Sequence, residues 1–243
     1  MSEAWRQLGE ARAGGILLIA DHASAFVPAD IDLGIDPALL REHIAIDIGV
    51  AEVAALLVEG GAVDAAILGG VSRLVVDCNR EEDAPGVLPI ASDGHAVPGN
   101  ALDDAGREAR LVRFFRPYHD HIAATIAAHR PAMILSLHSF TPALAAHPEQ
   151  ARPWHVGVLY NEDDRLAAAA IAALAAEGLN VGDQLPYSGK LLNATMNRHA
   201  EGNGIPYVGI EMRQDLVRDA AGQALFAERL SRMCSKVTLN LAG

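Results

Sequence analysis

Several apolar runs of this sequence stop abruptly on residues that can do chemistry. LLIADHAS delivers Asp21 and His22, RLVVDCNRE delivers Asp77, Asn79 and Arg80, MILSLHSFTP delivers His138 and Ser139, and VGIEMR delivers Glu211 and Arg213. Two histidines and a carboxylate from separate segments make a nitrogen and oxygen donor set suited to Zn2+, which keeps a fourth position for water when a protein supplies three ligands. Such a metal acidifies water and polarises a carbonyl. A glutamate that ends an apolar strand, as Glu211 does, suits a general base that later acts as general acid. Arg80 beside Asn79 offers a guanidinium fork and an amide donor for a substrate carboxylate, and Ser139 and Arg213 are further candidates to touch substrate.

The metal ligands expected on this reading are His22, His138 and Asp47. Asp47 stands in EHIAIDIG, four residues after His43, and a helical reading puts both on one face. His43 is then either a ligand or a group that orients one. Plainer roles remain open for each residue. Asp47 could hydrogen-bond a neighbouring loop, Glu211 could pair with Arg213 or Arg198, Arg80 could pair with Glu81 or Glu82, and His138 could be a satisfied strand-end histidine. Cys78 and Cys234 lie outside any CxxC spacing, which leaves no thiolate metal site, and Cys78 reads as a packed residue rather than a nucleophile.

What must position these groups is an alternation of strands and helices. Continuous apolar runs at 15–20, 72–77, 133–138, 155–160 and 207–212, with a weaker one at 65–68, predict strands covered on both faces. Helices are predicted over 37–61, 103–130, 163–178 and roughly 221–241, with Pro117 kinking or splitting the second near Arg116. The pattern predicts an α/β fold, a three-layer αβα domain with a central, mostly parallel mixed sheet, spanning 1–243 as one unit. In such sheets the carboxyl ends of the strands line the ligand crevice. Two long segments, 81–102 and 186–204, rich in Gly, Pro, Ser and Asn, are predicted to be functional loops over that edge. The second carries Lys190, Arg198 and His199, any of which could supplement Arg80.

Composition narrows the partners. In 243 residues, 51% are hydrophobic and 21% charged, and the formal net charge of −12 argues against nucleic acid. No apolar run approaches the roughly 18 residues of a membrane span, and the N-terminus lacks a signal-peptide pattern, so a cytoplasmic protein is expected.

DHAS…VP, HIAIDIG, VVDCNRE, RPYHDHI, SLHSFTP and GIEMRQDL, in this order from about Leu17 to Leu216, resemble the N-formylglutamate amidohydrolase family. The resemblance implies a zinc carboxypeptidase-like hydrolase in which His138 is the second histidine ligand, Asn79 and Arg80 bind a substrate carboxylate, and Glu211 is the general base. It also takes in Tyr118 and His119. The peptidase-like relatives carry a glutamate ligand three residues after the first histidine. Here that position is Ala25, so the carboxylate ligand must come from elsewhere, and Asp47 is the candidate. The expected activity is zinc-dependent removal of an N-formyl or small N-acyl group from a carboxylate-bearing amino acid such as N-formylglutamate. Alternatives are a peptide or peptidoglycan-type amide as substrate, or a metal- or carboxylate-binding module without catalysis.

Overall fold

The computed structural model describes residues 3–241, with side chains through Leu239. Strands β1 (Trp5–Gly9) and β2 (Ile16–Ala20) lead to helix α1 (Val50–Glu59) and strand β3 (Ala65–Gly69). A short hairpin, β4 (Ala91–Ser92) and β5 (His95–Ala96), precedes α2 (Asp104–Arg110), a π-helical turn over Leu111–Phe115 and α3 (Arg116–His129). Then come β6 (Met133–Phe140), β7 (Val156–Leu159), α4 (Ala167–Ala176), β8 (Val181–Asp183), α5 (Ala194–His199), β9 (Tyr207–Arg213) and α6 (Ala220–Leu241).

Seven strands form one sheet in the order β1-β3-β2-β6-β9-β7-β8. The four inner strands β3, β2, β6 and β9 run parallel, while β1 and β7 pair antiparallel with β3 and β9. Alternate residues of each strand face opposite layers. Leu18 and Ala20 join the core beneath α1, α4 and α6, whereas Leu17 and Ile19 join the core beneath α3 and α5. Both faces are therefore apolar, which is why the strand runs read as continuous and why the three-layer αβα architecture holds.

Two expected elements take a different form. Residues 72–77, expected as a strand, are a chain of turns under the sheet, with Leu74, Val75 and Val76 buried in the second core. Their carbonyls are satisfied by side chains instead of a ladder: Asn100 Nδ2 donates to Leu74 O at 2.7 Å and Arg110 Nη1 to Val75 O at 3.0 Å. A short apolar run reports burial, and burial alone does not choose extended pairing.

The expected helix over 37–61 is a 3-10 turn at Pro37–Arg41, a stretch of turns, and then α1. Gly49, at φ 81°, lies in the left-handed region, and a Cβ there would stand 2.2 Å from Val217 O. Glu42 is already extended at φ −100° and ψ 160°, and residues 43–49 make turns and no helix, so His43 and Asp47 do not share a helical face. The second expected helix does split at Arg116, whose N–H reaches Leu111 O in the π-helical turn just ahead of Pro117. The segments 81–102 and 186–204 contain the β4–β5 hairpin and α5, respectively.

Candidate active site

His22 follows β2 directly, His138 and Glu211 sit side by side on the paired strands β6 and β9, and Asp47 arrives on the turn before α1. Asp47 is held there by its own N–H, which donates to His22 O at 2.9 Å, and by Ser139 N–H, which donates to its Oδ2 at 3.3 Å. One donor atom from each of His22, Asp47 and His138 lies within 4.8 Å of the others, and all three residues are buried.

The two imidazoles are oriented alike. His22 Nε2 donates to Asp77 Oδ1 at 2.8 Å, which leaves Nδ1 as a bare acceptor 3.4 Å from Asp47 Oδ2. His138 Nδ1 lies 2.9 Å from the same Asp47 oxygen, and its Nε2 faces Asp21 Oδ2 at 3.4 Å. Each ring thus turns one nitrogen toward Asp47 and the other toward a further carboxylate, the arrangement that fixes tautomer and basicity in metal-binding histidines.

The chemistry of this donor set fits a divalent cation. His22 Nδ1 and Glu211 Oε2 are buried without a hydrogen-bond partner among the described residues. Burial disfavours charge on Asp47, yet His22 and His138 together hold its carboxyl far below the usual range. Burial likewise pulls His138 toward neutrality, but Asp21 and Asp47 outweigh it and raise its pKa well above normal. The site's field favours positive charge between these groups, and nitrogen and carboxylate donors brought together in this way suit a divalent metal. Asp77→Asn, which keeps the side-chain shape but removes the charge that holds the His22 ring, is expected to weaken metal binding about 10- to 100-fold in a competitive chelator titration.

Glu211 is nine-tenths buried with no ion-pair partner among the described residues. Arg213 is tied to Asp215 at 2.8 Å, and Arg198 lies 3.7 Å from Glu81, so neither arginine makes the plainer pairing. Burial pushes the Glu211 carboxyl up to about 7, against the charge of His138. A carboxyl poised there can both accept and return a proton near neutral pH.

Arg80 and Asn79 line the same cavity as the histidines and Glu211. Thr195 N–H donates to Asn79 Oδ1 at 3.1 Å, which leaves the Asn79 amide hydrogens as the group it presents to a ligand. Arg80 does not pair with its acidic neighbours, because Glu82 is engaged by Arg116 at 2.7 Å and Glu81 stands beside Arg198. Its Nε is 3.7 Å from Asp77 Oδ2. The other candidates sit differently. Ser139 lines the cavity, but its hydroxyl donates to Ile48 O at 2.9 Å and so braces the Asp47 turn. Arg213 does not reach the cavity; besides Asp215 it donates to Pro153 O at 3.4 Å. His43 lines the cavity with Nε2 3.0 Å from Asp93 Oδ2, on the hairpin tip, and is not part of the histidine–aspartate cluster.

Arg73 escaped the sequence reading, and Asp21, Tyr118, His119 and His199 were named there without the partners they have here. Arg73 donates to Asp77 Oδ2 at 2.9 Å and to Asp47 Oδ1 at 3.4 Å, bracing the two carboxylates on either side of His22. Its spacing of four from Asp77 was the available signal. Asp21, the carboxylate that faces His138, accepts from Tyr118 OH at 2.9 Å and from Thr195 Oγ1 at 2.8 Å. Beneath Asn79, His119 Nε2 donates to Cys78 O at 3.1 Å, so its Nδ1 must accept from His199 Nε2 at 2.9 Å. Burial depresses both imidazoles, to about 3 for His119 and about 4 for His199, which keeps this pair neutral and its bond intact. His199 therefore supports the Asn79–Arg80 segment from below. Lys190 is exposed, and Cys78 is buried, its thiol pushed up by burial and by Asp21 and Asp77.

The profile of the N-formylglutamate amidohydrolase family matches residues 14–218. The chain belongs to this family. It is accordingly a hydrolase acting on amide bonds. Its structure is similar to that of a gene product from Agrobacterium tumefaciens, with 32% identity, 99% of this chain and 96% of that chain covered, and a TM-score of 0.91. It shares its fold with an N-formylglutamate amidohydrolase from Ralstonia eutropha JMP134, at 18% identity, 98% and 97% coverage and a TM-score of 0.70. No curated protein matches the sequence. No helix among the described residues of the hydrolase is long and apolar enough to cross a membrane.

Proposed function

We propose that the enzyme is a zinc-dependent amidohydrolase that removes an N-formyl or similarly small N-acyl group from a carboxylate-bearing amino acid such as N-formylglutamate. The observation that carries this reading is the convergence of His22, Asp47 and His138 beside the unpartnered Glu211 carboxyl, in one cavity with Arg80 and Asn79. His22 and Asp47 and His138 would hold the metal. When bound, zinc supplies Lewis acidity to the amide carbonyl and lowers the pKa of water.

The protein's own groups do the rest. Glu211 takes a proton from the attacking water at its free Oε2 and returns one to the leaving amine, which departs as a better leaving group once protonated. Arg80 and the Asn79 amide grip the substrate carboxylate, fixing the scissile carbonyl against the metal-binding cluster. Asp77 and Asp21 hold the imidazoles, Arg73 keeps Asp77 ionised and His22 and His138 keep Asp47 so; both carboxyls lie well below their usual range.

The test is formate release from N-formylglutamate by zinc-loaded protein, with N-acetyl and N-succinyl amino acids and short peptides beside it. Fastest release from the formyl substrate supports the reading, and preference for a peptide would replace it with a peptidase. Arg80→Ala is expected to raise KM about 100-fold with little change in kcat, because a grip on the remote carboxylate is made equally in ground and transition states. A fall in kcat with unchanged KM would show that Arg80 acts at the reacting carbonyl instead.

A further inference from the structure

The segment before α5 brings a residue to the cavity that the mechanism above does not use. Tyr187 lines the same cavity as His22, His138 and Glu211. Its loop is built to hold it there. Gln184, at φ 56°, donates from Nε2 to Tyr160 O at 2.6 Å and accepts from Gly189 N–H at 2.8 Å, closing the loop across Tyr187. Gly189 packs so closely on Tyr160 that a Cβ would stand 2.3 Å from the Tyr160 carbonyl oxygen. Leu191 and Leu192 N–H groups both donate to Ser188 O at 3.0 Å, tightening the far side.

The phenol is also oriented by a cation. Arg152 Nη1 donates to Tyr187 Oη at 2.9 Å and to Thr141 O at 3.3 Å, and its guanidinium carbon lies 5.0 Å from the Tyr187 ring centroid. A guanidinium has hydrogens only to give, so the Tyr187 oxygen is the acceptor and its own hydrogen remains to be donated. No acceptor among the described residues takes that hydrogen. Donation from a charged neighbour polarises the O–H bond and makes the phenol a stronger donor.

The other donors on the cavity wall are committed. Arg73 serves Asp47 and Asp77, the Ser139 hydroxyl serves Ile48 O, and the Thr141 hydroxyl donates to Ala143 O at 2.8 Å. Arg80 and Asn79 are the carboxylate grip of the proposed mechanism. Tyr187 and the general base Glu211 line one cavity, with His22 and His138 between the same walls. Amide hydrolysis develops negative charge on the carbonyl oxygen next to that base, and an oriented neutral donor acts most strongly on charge that appears only in the transition state.

We propose that Tyr187 is a catalytic residue whose hydroxyl, oriented by Arg152, donates a hydrogen bond to the oxyanion that forms at the scissile carbonyl. The inference rests on the amidohydrolase reading of the site. Its test is a kcat and KM comparison of wild type, Tyr187→Phe, Arg152→Gln and the double variant, each metal-loaded. The substrate is whichever member of the acyl-amino-acid and peptide panel the wild type cleaves fastest. Preference for a non-formyl member thus overturns the formyl reading and still tests the tyrosine.

Tyr187→Phe keeps the ring and is expected to lower kcat about 100-fold, with KM within about threefold and metal stoichiometry and melting temperature unchanged. Arg152→Gln is expected to lower kcat about tenfold, and the double variant to be no slower than Tyr187→Phe, because Arg152 acts through the phenol. A Tyr187→Phe enzyme with wild-type kcat, or with its loss confined to KM, overturns the oxyanion role. A double variant markedly slower than Tyr187→Phe overturns the coupling to Arg152.

Discussion

Glu211→Gln protein is expected to carry the wild-type complement of metal and to turn over substrate at least about a thousandfold more slowly. The substitution keeps the side-chain shape while removing the buried, unpartnered carboxylate beside the histidine–aspartate cluster. Glu211 is not one of the three clustered donors, so metal stoichiometry should not change. Nor should the fold suffer. The carboxyl is buried and already pushed up to about 7, so its neutral amide analogue relieves a desolvation cost rather than adding one.

The same residue sets the pH dependence. Below its pKa Glu211 holds a proton and cannot accept another, so kcat/KM falls as pH drops, and a nearby divalent cation favours the ionised form. The acid limb should therefore have its midpoint at or below about 7, and the residual rate of the glutamine variant should lack it. Steady-state kinetics across pH with parallel elemental analysis decides the matter. A glutamine variant with wild-type kcat, or one that has lost its metal, would remove Glu211 from the role of base.

His138→Ala is expected to abolish metal binding and reduce activity to the assay background, and to cost stability even when both proteins are compared without metal. Asp21 Oδ2 and Asp47 Oδ2 face the two nitrogens of this one ring, at 3.4 and 2.9 Å. In the absence of metal the raised pKa of His138 keeps it protonated between them, and alanine leaves two buried carboxylates without that charge. Breaking a buried pair from one side costs about 3 kcal/mol, which for a chain of this size lowers Tm by roughly 6–12 °C. His43→Ala is the contrasting variant. It faces Asp93 on the hairpin tip, so the metal stays and only the local packing of that hairpin changes. Calorimetry of metal-free protein with elemental analysis of the loaded forms checks both. Stoichiometric metal in the alanine variant of His138 would show that the cluster is not the binding site.

Much of the site was legible in the sequence because parallel strands buried on both faces must be apolar along their length. The polar residues at their C-terminal ends, Asp21 and His22 just past β2, His138 late in β6 and Glu211 late in β9, then stand out against that background. Asp47 was harder. The structure places it beside both histidines, but from a turn and not from the helical face its spacing with His43 suggested, because the chain is extended at Glu42 and stays in turns up to α1. Arg213 looked equivalent to Glu211, two residues before it on β9, yet it turns to Asp215 and away from the cavity. Asp77 and Arg80 came from a run that looked like a strand and is a buried turn. The carbonyls of that turn are satisfied by Asn100 and Arg110, partners 26 and 35 residues away from those they serve.

By itself, then, the sequence determined which segments must be buried and where burial ends, since apolar periodicity and the energetic cost of dehydrating charge are written residue by residue. That was enough for the αβα architecture, for singling out the strand-end residues that the fold brings to one cavity, and for the family resemblance. Tertiary structure alone decided the partners. Asp77 on the His22 ring, Asp21 on the His138 ring, Arg73 across two aspartates and Arg152 on Tyr187 join positions 55, 117, 26 and 35 residues apart, among others, at hydrogen-bonding distances. Such contacts depend on how strands, turns and loops are brought together in space, and no local pattern of residue types encodes the distance between two side chains that the chain's folding first makes neighbours.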